Sequence, residues 1–259
     1  MISTSLEPNT IVDSDRNSGL IGRVVARSAV DAPLTGRLYE LFAQFYLQVD
    51  RARFEQDQSD KDWVILLCDQ GGMVHGFTTL KLYEIELLGR KVRAVFSGNT
   101  IIDPKYWGEQ ELVATWCRFM AKIKRQAPMV PLYWFLICSG YRTYLYLPLF
   151  FHEFFPCPGR EPPPFERALL DTLGRMKFPE EYRDGIVQVN SPRECLRPEL
   201  AQPRPAKTNN PHVRFFFERN PGYLKGDELV CITEFSLENT KRLANTAARN
   251  VLLETARLP

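Results

Sequence analysis

The sequence has six cysteines, Cys68, Cys117, Cys138, Cys157, Cys195 and Cys231, but no CxxC pair. That scatter does not read as a zinc site or as a disulfide framework. Four of the six lie in apolar runs, where a free cysteine behaves as a small hydrophobe. An excess of one charge is also missing. Lys and Arg number 33 against 31 Asp and Glu, a formal net charge of +2, so nucleic-acid binding has no global electrostatic support. No uncharged apolar run reaches the roughly 18 residues that a membrane span needs. The opening residues, MISTSLEPNTIVDSDRNSG, contain no apolar stretch of the kind a secretory leader carries. Histidine is scarce: His75, His152 and His212. The expectation is a soluble protein of a reducing compartment, in a bacterium the cytoplasm, with no metal site.

What is present is globular. With 259 residues, 44% hydrophobic and 25% charged, the chain suits one large domain or one domain with an appendage. A polar arm is expected over 1–18. A β segment follows over 19–28, then a helix over 34–49, where Leu38, Leu41, Phe42 and Phe45 recur at helical spacing. The charged stretch 50–62 reads as a short helix or a loop. The period then changes. Segments 62–68, 73–87 and 92–102 read as three strands of an antiparallel meander with short connections. A helix over 108–126 places Leu112, Trp116, Met120 and Ile123 on one stripe. Segment 131–138, PLYWFLIC, reads as a strand buried on both faces. The aromatic segment 139–156 reads as helical, with Pro148 as a kink or boundary.

Beyond a proline-rich link at 156–164 come a helix over 165–179 and a short strand over 184–189. A long polar loop over 190–211 is followed by an expected strand pair, 212–220 with 228–236, and a C-terminal helix over 237–258. A meander followed by a crossover helix to a central strand indicates an α/β fold with a mixed, largely antiparallel sheet flanked by helices.

The stretch FSGNTIIDPKYWGEQEL, Phe96 to Leu112, carries the functional signal. A strand interrupted by Gly98 runs into a proline turn and then a helix. Glycine inside a strand marks a bulge or a close approach of another group. A bulge there would free a backbone N–H to polarise a carbonyl. The plainer alternative is that Gly98 makes room for an aromatic neighbour. The helix beginning near Gly108 offers unpaired N–H groups to an anion, yet Glu109 and Glu111 stand in its first turn and would oppose one.

The element order and this turn resemble the GNAT superfamily of acyl-CoA-dependent N-acyltransferases. Ile102, Pro104, Tyr106 and Gly108 keep the family's turn, whereas Trp107 replaces its arginine and Gln110 and Leu112 replace two glycines. The resemblance covers residues 19–156, with 157–259 completing the same domain. It implies acyl transfer from a CoA thioester, or from a phosphopantetheine thioester on an acyl carrier protein, to an amine of a small molecule or peptide side chain. It also implies that Thr100, Ile101, Ile102, Trp107, Gly108, Gln110 and Tyr141 bind the cofactor.

For the chemistry, an acid for the thiolate is sought among Tyr144 and His152, and Ser97 and Asn99 are candidates to hold the carbonyl or the amine. In the family's acid position the alignment places Phe150. The apolar character of PLYWFLIC and YLYLPLFFHEFF admits a fatty acyl chain, and lipidation of a peptide natural product is one setting for it. The face Arg118, Lys122 and Arg125 is a candidate docking stripe for an acidic carrier. A second reading is a catalytically silent module that binds an acyl thioester or a lipid. A cysteine hydrolase using Cys138 lacks both the nucleophile elbow and a local base.

Overall fold

The computed structural model describes residues 19–189, 194–203 and 207–241, the backbone of 10–11, and the isolated positions 249 and 253. Most of the expected N-terminal arm and of the expected C-terminal helix lies outside these residues.

In chain order the strands are β1 (Thr10–Ile11), β2 (Ile21–Ala26), β3 (Tyr46–Leu47), β4 (Trp63–Cys68), β5 (Val74–Leu87), β6 (Arg90–Ile102), β7 (Leu132–Cys138), β8 (Tyr182–Arg183), β9 (Ile186–Val187), β10 (Cys195–Leu196) and β11 (Glu228–Glu234). The helices are α1 (Ala32–Phe45), α2 (Arg51–Ser59), α3 (Glu111–Gln126), α4 (Tyr141–Tyr144), α5 (Tyr146–Phe150), α6 (Pro164–Lys177), α7 (Pro198–Ala201) and α8 (Pro211–Arg219). Nine strands form one sheet in the order β1-β2-β4-β5-β6-β7-β11-β9-β8, and β3 and β10 pair separately. Among the described residues only β6 and β7 pair in parallel. The sheet is therefore mixed and largely antiparallel, as the sequence indicates.

Local sequence explains these elements. Asp31 caps α1 by accepting from Leu34 N, with Pro33 in the first turn, and Asp50 caps α2 by accepting from Arg53 N. Both caps satisfy amides that a helix start leaves unpaired. The ambiguous stretch 50–62 is thus mainly helix. Helix α1 turns Leu38, Leu41, Phe42 and Phe45 inward against Phe77 and Ile101 of the sheet. On the opposite face α3 packs Trp116, Met120 and Ile123 beside Trp134 and Leu136.

One expected strand is a helix. Residues 211–219 form α8, and β11 pairs instead with β7 and β9. The reason is local. Asn210 accepts from His212 N and Val213 N, and Pro211 follows at the first helical position. That start signal directs the run HVRFFFER into a helix which buries Val213 and Phe216, one turn apart. The aromatic segment after β7 also differs in detail: it breaks at Leu145 into α4 and α5, and Pro148 lies inside α5.

Candidate active site

The site begins where two strands part. The parallel ladder of β6 and β7 runs from Arg93↔Leu132 to Ser97↔Leu136 and stops. Strand β6 continues to Ile102 against β5, and β7 continues to Cys138 against β11. From Gly98 and Ile137 onward the facing edges are not paired with each other. A parted parallel pair exposes main-chain N–H and C=O groups that need partners, which makes the opening a ready place for an amide-bearing ligand.

A bulge sits at the same point. Phe77 faces Ile101 and Thr79 faces Gly98, so Asn99 and Thr100 together stand opposite Thr78. Asn99 takes the left-handed conformation, with φ 48°. The bulge thus falls one residue beyond Gly98. Gly98 has its own reason to be glycine, because a Cβ there would stand 2.9 Å from the Phe96 ring. Both readings of this glycine hold together: it yields to an aromatic, and the strand bulges beside it.

An α1–α2 pair before a meander, a bulged strand, a crossover helix, and a parallel neighbour that splays from the bulge form one recognisable arrangement. The fold is GNAT-like.

Three cavities meet at this splay, and Thr100 and Thr143 line all three. The first, about 400 Å³, is polar and is bounded by α2, the bulge and the end of α6, with Asp50, Asp57, Asn99, Lys177, Glu194 and Glu228 on its walls. The second, about 50 Å³, is apolar and lies among Leu112, Trp116, Trp134, Phe150, Phe151 and Phe235. The third, about 380 Å³, is a groove between the end of β6 and the start of α4, lined by Thr100, Ile101, Ile102, Trp107, Gly108, Tyr141, Arg142 and Lys207.

Ser97 links the first two cavities. Its Oγ accepts the Trp134 indole N–H at 3.0 Å and the Trp116 indole N–H at 3.3 Å. A hydroxyl has two acceptor sites and one donor. With both lone pairs taken by indoles, Ser97 can add only donation, and a carbonyl or oxyanion is the partner that suits it.

Asn99 faces the polar cavity and donates to Asp57 at 2.9 Å. Asp57 also accepts from Lys61 at 2.6 Å and lies 3.4 Å from Lys177, which pairs with Asp60 at 2.6 Å. Burial opposes ionisation of Asp57, but the charges of Lys61 and Lys177 outweigh it and hold the carboxyl below its ordinary value. Burial likewise pulls the fully enclosed Lys61 ammonium down to about 8. The Lys61 and Lys177 ammoniums lie 5.8 and 5.5 Å from the Phe96 ring centre. Sequence reading missed this cluster because its members lie on α2 and the turn after it, on β6 and on α6, far apart in the chain.

The expected cofactor residues gather in the third cavity, with the exception of Gln110, which is exposed and donates to Gly108 O at 3.4 Å. Trp107 donates its indole N–H to Ile102 O at 2.8 Å, and the Arg142 guanidinium stacks 4.7 Å above its ring. Glu111, expected to oppose an anion, turns away from the groove. Its Oε1 is buried and accepts from Gly22 N, Thr115 and Arg118. The same contact draws Arg118 out of the expected docking stripe. Glu109 stays on the wall of the groove.

Tyr144 and His152 lie away from the splay. Tyr144 is fully buried among Phe154, Phe215 and Phe216 and donates to Pro156 O at 2.9 Å. His152 is exposed on a separate cleft with Glu166 and Glu234. The tyrosines that do reach the meeting point are Tyr146, between the apolar cavity and the groove, and Tyr46, between the groove and the polar cavity. Cys138 is buried with its Sγ 3.9 Å from that of Cys231, and burial pushes its thiol up, so it is a packing residue and not a nucleophile.

No family model matches the chain, and no curated protein matches it. Among solved structures, one similar protein is a probable N-acyltransferase of unknown function from Enterococcus faecalis, with 14% identity and a TM-score of 0.37 over 49% of this chain and 31% of the other. This chain therefore spans about a third of that protein's length. A second is the GNAT family N-acetyltransferase YhbS from Escherichia coli in complex with CoA, with 13% identity and a TM-score of 0.38 over 54% and 73% of the two chains. A third is N-myristoyltransferase from Saccharomyces cerevisiae with bound myristoyl-CoA, with 7% identity and a TM-score of 0.35 over 51% and 32%. Among the described residues no cluster of metal-ligating side chains occurs, and no helix is long and apolar enough to cross a membrane.

Proposed function

We propose that this protein is a GNAT-superfamily N-acyltransferase which moves an acyl group from a CoA-type thioester to an amine. The observation that carries the reading is the meeting of three chemically distinct cavities where β6 and β7 part. The groove beside Trp107, Tyr141 and Arg142 suits a pantetheine arm. The apolar cavity takes the acyl group, and the polar cavity takes the amine.

In this arrangement the Ser97 hydroxyl and the amides of the bulge donate to the thioester oxygen as it becomes negative. Alignment of amine and thioester across the splay supplies the rest of the acceleration. The polar cavity presents Asp50, Asp57, Glu181, Glu194 and Glu228 with Arg53 and Lys177, a balance that favours an acceptor arriving as a cation.

The acyl group is short. Roughly 10–15 Å³ of free volume holds one water-sized group, so a cavity of about 50 Å³ takes only a few carbons. The donor handle is CoA or its pantetheine portion. The carrier-protein version loses part of its support now that Arg118 is committed to Glu111.

The test is incubation of the protein with acyl-CoAs of increasing chain length and a panel of primary amines. Thiol release matched by acyl mass on an amine supports the reading. Tight thioester binding without turnover on any amine would favour the silent binding module instead.

A further inference from the structure

A hydrogen-bonded chain of side chains stands at the mouth between groove and polar cavity. Tyr46 donates from its hydroxyl to Ser139 Oγ at 3.4 Å, and Ser139 donates in turn to Glu228 Oε1. Tyr46 and Ser139 line both cavities, and Glu228 lines the polar one. Three distant segments build this chain: β3 after α1, the turn after β7, and the first residue of β11. The pairing of β11 with β7 places Leu229 opposite Cys138, which brings Glu228 beside Ser139. Pairing of Tyr46 with Leu196 fixes β3 over the groove.

We propose that Tyr46, Ser139 and Glu228 form a proton relay for the acyl transfer, with Tyr46 facing the reacting atoms. This inference rests on the transferase reading above and deepens it. The acceptor nitrogen, neutral after its ammonium form has given a proton to solvent, forms its bond to the thioester carbon, and the carbonyl electron pair moves onto oxygen beside Ser97. The ammonium proton passes to Tyr46 Oη as the Tyr46 proton passes to Ser139 and the Ser139 proton to Glu228. The oxygen pair then re-forms the carbonyl, the C–S bond breaks, and the sulfur keeps its electron pair. The proton returns along the same three groups to the sulfur, which leaves as a thiol. Proton count and charge balance, and no further reactant is needed.

The groups around the relay fit this use. Burial and the neighbouring Glu228 charge push the Tyr46 phenol up, so it rests as the neutral phenol and passes its proton on only as it receives another. Glu194, held by Arg53 at 3.3 Å, faces the same phenol, as does the neutral thiol of Cys138. Asp50 stands on the same cavity wall.

The experiment is steady-state acyl transfer from acetyl-CoA to an amine, with pH profiles, for the wild type, Tyr46→Phe, Ser139→Ala, Ser139→Thr and Glu228→Gln. Binding of desulfo-CoA and circular dichroism check each fold. The relay predicts that Tyr46→Phe, Ser139→Ala and Glu228→Gln lose at least 30-fold in kcat with KM for the thioester within threefold. It predicts that Ser139→Thr regains most of the rate, and that Glu228→Gln loses the acidic limb of the wild-type profile. An active wild type whose Glu228→Gln keeps both rate and acidic limb overturns the relay and leaves the transferase reading standing. A wild type that releases no thiol with any amine overturns both.

Discussion

Ser97 shows how a single residue's surroundings decide its role. Two indole N–H groups occupy its oxygen, so Ser97→Ala orphans two buried donors and removes one outward donor. Each buried donor left unsatisfied costs about 1–3 kcal/mol, and loss of an oxyanion donor costs on the order of 100-fold in kcat. The expected outcome is a lower melting temperature together with that drop in kcat. A rate loss of less than threefold would remove Ser97 from the chemistry. Asp57 makes a second residue-scale prediction. Asp57→Asn leaves the enclosed Lys61 with less compensation, for a loss of about 2 kcal/mol; this is below the usual 3–5 for a buried pair, because the Asp57 side chain is 35% exposed. Its folded value lies below the unfolded one, so the stabilisation is present above pH ~4 and fades as pH falls through the folded value. Denaturation curves should therefore show wild type and variant converging in acid. Lys61 works in the opposite sense. Its ammonium, lowered to about 8, burdens the fold below that pH, and the burden is relieved as pH rises toward the unfolded value near 10.4. Ser97 and Asn99 were visible in the sequence through Gly98. Asp57 and Lys61 were not, because a charged run gives no sign of which members turn inward.

Elements were legible where periodicity was strong and less so where caps decided. The meander follows from short apolar runs, partial alternation and turn signals, and α3 from the Leu112–Trp116–Met120–Ile123 stripe. The run at 211–219 looks β-like from its three phenylalanines, yet the Asn210–Pro211 start makes it α8. Asn210→Ala should cost about 1 kcal/mol by chemical denaturation, and an unchanged midpoint would mean that tertiary packing alone holds this helix. Glu111 gives the companion lesson for α3. First-turn position suggested a carboxylate that would oppose an anion, but Gly22 on β2 leaves space for the helix to approach, and the carboxylate enters to meet the Gly22 amide. A Cβ at Gly22 would stand 1.9 Å from Thr115 Oγ1. Gly22→Ala should push α3 from the sheet and destabilise the protein by at least about 3 kcal/mol, the upper range for overpacking.

At the scale of the molecule, the sequence indicated a GNAT-like sheet but not what the splay gathers. Cavities arise from segments that meet only on folding: β3 with the turn after β7, α2 with α6, and the start of β11 with both. Glu109, expected in the first turn but placed just before α3, lines the groove and should weaken docking of the CoA phosphates. Glu109→Gln should lower KM for acyl-CoA roughly fivefold, equivalent to about 1 kcal/mol of repulsion removed, while KM for an acyl-pantetheine stays level. The apolar cavity should set acyl length. Opening it with Phe150→Ala should shift preference toward longer chains, at a stability loss of about 3–5 kcal/mol for a buried aromatic. In the proposed arrangement a thioester sits across the β6–β7 splay with its carbonyl at Ser97 and the bulge. A crystal structure with a non-hydrolysable acetyl-CoA analogue tests it directly. The analogue's carbonyl oxygen should lie within about 3 Å of Ser97 Oγ, the distance of a normal O–H···O bond, with the acyl end among Trp116, Trp134 and Phe150. An analogue bound away from the splay, or a carbonyl pointing out of it, would rule this arrangement out.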